Sequence, residues 1–152
     1  MKGVIVLLVL FAAAAGIYFF FIRDSAPYVA YKTFATALAS GDRNRALQNA
    51  DGPEVLGGPE ELRGQTAGGM TVDALVGISY AHESERKNSY GTVTVVAMQS
   101  VRFDPPGATS AMGAMTAKYR QTAILHKSGG RWLVQSFKDD FVEMRNWKGE
   151  KQ

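Results

Sequence analysis

The sequence predicts an α+β domain behind an N-terminal transmembrane helix, with helices packed on a curved, cone-like antiparallel sheet of about four strands. Three observations carry that reading. Residues Gly3 to Ile22 contain no charge. Apolar residues from Tyr28 to Leu38 recur at spacings of three and four, the period of a helix with one buried stripe. After Thr71 the period drops to two, in four segments, and Ser128-Gly129-Gly130 between the last two is a hairpin connection. With 152 residues the chain holds one such domain, dividing into an anchor at 1–23 and a folded unit at 24–152.

The apolar run is long enough to span a bilayer. A helix over residues 3–22 would cover about 30 Å, the thickness of the hydrocarbon core. Tyr18 and Phe19 to Phe21 fall at its outer end, where aromatic rings suit the interface. The amine and Lys2 precede it, and Asp24 offsets Arg23 beyond it, so the charge bias favours a cytoplasmic N-terminus. The expected location is therefore single-pass in a membrane, with the C-terminal domain periplasmic or extracellular. The competing reading is a signal peptide cleaved near Ala12 to Ala15, but that would leave an apolar segment as the new terminus.

Composition excludes several classes of function. The chain has no cysteine, which removes disulfides, thiolate metal sites and a cysteine nucleophile. Its formal charge is +3, but Lys2 and Arg23 flank the anchor, and from Asp24 onward the net is +1. A nearly neutral domain is a poor match for nucleic acid. With two histidines and no cysteine, neither a metal nor any other cofactor is expected.

Ser25 can cap the first helix and Pro27 fits its first turn; the helix ends at Ser40, before Gly41 in a left-handed C′ position. Asp42 can cap a short second helix carrying Ala46, Leu47 and Ala50, and Asp51-Gly52-Pro53 stops it. Residues 51–70 hold six glycines and two prolines and read as loop, with one helical turn at Pro59 to Arg63. The first strand starts at Thr71, with Val72, Ala74, Val76, Ile78 and Tyr80 alternating, and Glu83 to Asn88 reads as a polar turn. The second runs from about Tyr90 to Phe103, the third from Ala117 to Lys127, and the fourth from Arg131 to Asp139 or slightly beyond. Residues 104–116 form the loop between the second and third.

Phe34-Ala35-Thr36-Ala37-Leu38-Ala39-Ser40-Gly41-Asp42 resembles the first-helix signature of the nuclear transport factor two-like superfamily. Thr122 to Leu125 and Gly130 to Val134 resemble its final hairpin. The resemblance spans about 110 residues and implies a bent sheet wrapped around helices as a cone, often enclosing a pocket. It implies no one function, since enzymes, scaffolds and secretion-assembly subunits share the fold. In the ketosteroid isomerases of this superfamily, the resemblance would place an oxyanion-binding tyrosine at Phe34 and a protonated aspartate at Thr122. The base should come from Glu54-Val55-Leu56-Gly57, where no aspartate matches. All three departures argue against isomerase chemistry, and no catalytic residue is assigned.

His82 and His126 fall on even positions of their strands and could line one surface with Tyr80, working with Asp73 or Glu83 as an acid–base site or a weak metal site. Both also lie near polar turns, where a histidine is ordinarily solvated. Met112 and Met115 belong to an apolar loop that can adapt to a partner or fold down over the open end of the cone. Trp132 reads as core or cone lining. The anchor, the near-neutral domain and the missing catalytic positions point to a non-enzymatic interaction or assembly module in the cell envelope, with a protein partner or a second copy of the chain. The alternative is a small-ligand binder, or an isomerase- or hydrolase-type enzyme, using Tyr80, His82 and His126.

Overall fold

The computed structural model describes residues 24–57, 75–104, 113–146 and 148–151. The proposed anchor, the turn at Pro59 to Arg63, the start of the first strand including Asp73, and Met112 lie outside the described residues. Among the described residues no helix is long and apolar enough to cross a membrane.

Helix α1 spans Ala26–Ala39. The Ser25 hydroxyl accepts a hydrogen bond from the Tyr28 amide, and Pro27 sits in the first turn, where its missing N–H costs nothing. Gly41 has φ 76°, a left-handed position that favours glycine, and reverses the chain after the Ser40 cap. Helix α2 spans Arg43–Leu47, with the Asp42 carboxylate accepting from the Arg45 amide. Pro53–Leu56 then forms a single 3₁₀ turn.

Strands β1 (Leu75–Lys87), β2 (Val93–Phe103), β3 (Met115–Ser128) and β4 (Arg131–Arg145) form one antiparallel sheet in that order. The β2–β3 register runs without interruption, whereas the pairing of each outer strand shifts twice. The extra residues are Val76 and Glu83 on β1, and Gln135 and Val142 on β4. Bulges of this kind bend the outer strands and increase their twist, which curls the sheet toward α1.

Several element ends differ from expectation for identifiable reasons. Glu83 to Asn88 is not a turn: β1 continues through Lys87 because the bulge at Glu83 lets pairing resume at Ser84. The reversal comes at Asn88–Thr92, closed by Asn88 N–H to Thr92 O at 2.8 Å, and places Tyr90 at φ 68°. Val76 does not share a face with Ile78 and Tyr80, since it is itself a bulge residue and is exposed. Met115 is the first residue of β3, paired with Phe103, rather than part of a loop.

The core lies between α1 and the helix-facing side of the sheet. Tyr31 and Phe34 from α1 are fully buried with Val95, Leu125 and Val134 from the strands. Phe34 meets Phe137 edge-to-face at 5.1 Å, and Trp132 packs at the margin of this cluster as expected. Burying each such side chain contributes about 1.5–3 kcal/mol. A second apolar cluster, Val101, Phe103, Ala117 and Tyr119, occupies the same face of the sheet farther along the strands.

Candidate functional site

Polar side chains separate these two clusters. On β2, Val93, Val95, Ala97, Gln99, Val101 and Phe103 all face α1, and Gln99 is the one polar residue among them, only 1% exposed. On β3 the corresponding series is Ala117, Tyr119, Gln121, Ala123 and Leu125, with Gln121 2% exposed. An amide buried this deeply requires partners. Tyr31 Oη donates to Gln121 Oε1 at 2.6 Å, and Gln121 Nε2 donates to Gln99 Oε1 at 2.9 Å and to Asp139 Oδ1 at 3.2 Å. Gln99 Nε2 donates to Tyr80 Oη at 3.0 Å, leaving that hydroxyl's own proton for Thr36 Oγ1, also at 3.0 Å.

The cross-strand register makes this a two-rung platform. One rung reads His82, Ala97, Gln121, Asp139 and the next reads Tyr80, Gln99, Tyr119, Phe141. The rungs are closed at one end by α1, through Tyr31 and Thr36. At the β4 end they open to solvent, where Asp139 is exposed and Phe141 is 57% exposed. Most of the network ties α1 to the sheet and is structural. At that end the Asp139 carboxylate reaches solvent, while the Tyr119 hydroxyl is buried and has no hydrogen-bond partner among the described residues.

Electrostatics follow from this enclosure. Burial pushes the Asp139 carboxyl up to about 6; the neighbouring Asp140 carboxylate adds to that effect, while the hydrogen bond from Gln121 opposes it. One edge of Asp139 reaches water, but protein crowds its other sides. Burial pushes Tyr119 up to about 12, with Asp139 contributing further. Tyr31 and Tyr80 are raised as well, chiefly by burial, and Asp139 also acts on each. These phenols therefore stay neutral, as donors and acceptors of hydrogen bonds.

The residues expected from sequence divide between the two faces. Tyr80 and Trp132 lie on the helix-facing side. His82 does too, stacked on the Tyr28 ring at 4.2 Å, while Lys32 approaches the same ring at 4.9 Å. His126 pairs with Leu133 on the opposite face, and its Nε2 lies 3.3 Å from Asp51 Oδ1, out of line for a hydrogen bond. The two histidines do not line one surface, because antiparallel register places even positions of β1 beside odd positions of β3. Glu83 is committed to Arg120 at 2.8 Å. Met115 packs against the second apolar cluster. Phe34 is sealed in the core and Thr122 pairs with Lys138 on the far face, so neither position presents an oxyanion donor. Among the described residues no cluster of His, Asp or Glu suits a metal ion.

The sequence matches no family model and no curated protein. Its fold is that of nuclear transport factor two-like and ketosteroid isomerase-like proteins. A ketosteroid isomerase-like protein from Erwinia carotovora atroseptica SCRI1043 aligns with a TM-score of 0.53 at 14% identity, over 77% of this chain and 94% of that one. A nuclear transport factor two-like protein of unknown function from Shewanella oneidensis MR-1 gives 0.49 at 13% identity, over 74% and 94%. A putative calcium/calmodulin-dependent protein kinase II association domain from Xanthomonas campestris gives 0.48 at 15%, over 80% and 90%. The fold can serve as a ligand-binding or an enzyme scaffold.

Proposed function

We propose that this chain is a membrane-tethered binding protein that takes a small organic molecule on the helix-facing side of its sheet. The observation behind this reading is the polar platform that ends in an accessible carboxylate and an unpartnered phenol, set between aromatic rings. A few converging polar groups on an apolar, concave surface are the usual composition of a ligand site. The tether rests on the uncharged run at residues 3–22. An envelope protein partner remains the second reading, favoured by Val142, which exposes an apolar side chain from a bulge on the outer strand.

Photoactivatable aryl probes, applied to the full chain in carbonate-washed membranes, test both parts. Crosslinks should map to Tyr119, Phe141 and Met144. Labelling confined to outward residues such as Val96 and Met98 would reject the site, and absence of the chain from washed membranes would reject the tether.

A further inference from the structure

We infer that the helix-facing site selects an organic cation, an ammonium group attached to an apolar or aromatic body, which Asp139 and Tyr119 hold beside the Phe141 ring. This deepens the binding reading above and depends on it.

Charge complementarity supplies the first argument. Strand β4 carries three carboxylates, and the other two are neutralised: Asp140 by Lys138 at 2.8 Å, and Glu143 by Arg145 at 2.8 Å and Lys118 at 3.1 Å. Asp139 makes no ion pair among the described residues; its one hydrogen bond comes from the neutral Gln121 amide. The two rungs contain no lysine or arginine. On α1, Lys32 is committed to Asp24 and to the Tyr28 ring. On β1, Glu85 is held by the Ser25 hydroxyl. Asp139 is thus a carboxylate facing the site without a counter-charge among the described residues.

The second argument is the orphaned phenol. Tyr119 is 5% exposed and its hydroxyl has no partner among the described residues; it lies diagonal to Asp139 in the register, since Tyr119 pairs with Phe141 and Gln121 with Asp139. An ammonium group can donate one N–H to Asp139 and another to Tyr119, both acceptors. A carbonyl or carboxylate ligand would instead set its oxygen against Asp139, which is mostly ionised at neutral pH. Aromatic rings flank the carboxylate on both sides. Tyr119 and Phe141 meet edge-to-face at 5.8 Å and 68°, and Phe137 flanks Asp139 on the other side along β4. Aromatic faces attract cations through their quadrupole, an effect that strengthens as the site is desolvated.

The test competes three matched probes, benzylamine, benzyl alcohol and benzoate, against the photolabel on the full chain near neutral pH. Benzylamine should displace the label about tenfold more effectively than benzyl alcohol, with benzoate weakest. Asp139→Asn should erase that order while leaving the melting temperature close to wild type, since an asparagine oxygen still accepts from Gln121. Tyr119→Phe should weaken benzylamine alone. Equal competition by all three, a preference for benzoate, or a benzylamine preference that survives Asp139→Asn would overturn the cation inference and leave the binding reading standing. If the label itself fails to mark this face, both fall together.

Discussion

Asp139 and Glu143 lie four residues apart on one strand and on opposite faces of the sheet, and their surroundings pull them in opposite directions. Hydrogen bonds from Arg145 and Lys118, helped by Lys151, hold Glu143 down to about 2. Burial, with the Asp140 carboxylate adding to it, pushes Asp139 up to about 6. Charges on the outward face answer one another: Glu83 with Arg120, Lys138 with Asp140, Lys118 with Glu143. Between the two apolar clusters the helix-facing side uses neutral amides and phenols, and among the described residues it leaves Asp139 without an ion pair and the Tyr119 hydroxyl without a hydrogen bond. A surface whose charges are satisfied locally needs nothing further, whereas the helix-facing side keeps an exposed carboxylate with no ion pair among the described residues.

The largest test of this contrast is Gln121→Leu. The change keeps the volume but leaves Tyr31 Oη and Gln99 Oε1 without their partner inside the core. Each buried orphan costs about 1–3 kcal/mol, so stability from urea denaturation should drop by about 3 kcal/mol. Thr122→Val, the adjacent residue on the outward face, should move it by less than about 0.5 kcal/mol. Equal losses at the two positions would mean that the concave network contributes nothing particular to the fold.

Much of the framework was legible in the sequence, because local chemistry fixes it. The Ser25 cap, Gly41, the Asp42 cap and the Gly129-Gly130 hairpin each act within a few residues, and all stand as expected. The platform was partly legible. Gln99 and Gln121 interrupt otherwise apolar series on two central strands, which is itself a signal of a buried, partnered amide. Asp139 was hidden by geometry. Strict alternation from Trp132 and Val134 would direct Asp140 inward, and only the extra residue Gln135 turns Phe137, Asp139 and Phe141 toward α1. A bulge leaves little mark in side-chain pattern, so the face of every residue beyond it is misassigned. The same effect on β1 placed Val76 on the wrong face. Had the bulge been foreseen, Asp139, and not Asp73 or Glu83, would have emerged as the carboxylate of interest.

A smaller effect separates the two faces by pH. Asp139 has a folded-state value of about 6 against an ordinary 3.8, so between those values the native state holds more protons than the unfolded chain. Its contribution to stability therefore falls as pH rises through that window. For Glu143, at about 2 against 4.5, the unfolded chain holds more protons; the contribution is present above about 4.5 and is lost as pH falls toward 2. The difference in melting temperature between wild type and Asp139→Asn should drift downward from pH 4 to 6. That between wild type and Glu143→Gln should rise from pH 2 to 4.5. Because Asp139 is partly solvated, its share is less than about 1 kcal/mol. Slopes of the same sign for both residues would contradict the electrostatic division of the strand.

The smallest expected effect concerns Arg120 on the outward face. Its guanidinium meets Glu83 at 2.8 and 2.9 Å, but the side chains are 59% and 30% exposed, so solvent and salt screen the attraction. Replacement by methionine keeps the stem that covers the strand and removes only the charge. Exposed pairs contribute about 0.2–1 kcal/mol, and Arg120→Met should lie at the low end and vanish in high salt. The position has a second use, because Glu83 is the extra residue of the β1 bulge. If the ion pair served to fix that bulge, its removal would free β1 to slip, and Tyr80 and His82 would lose their inward register. Amide exchange along β1 distinguishes the two cases. Protection that stays at wild-type levels in Arg120→Met assigns the register to the buried Tyr80–Gln99 bond. Accelerated exchange from Ser79 to Glu85 would show that an outward charge pair specifies the concave site, and would break the separation of the faces.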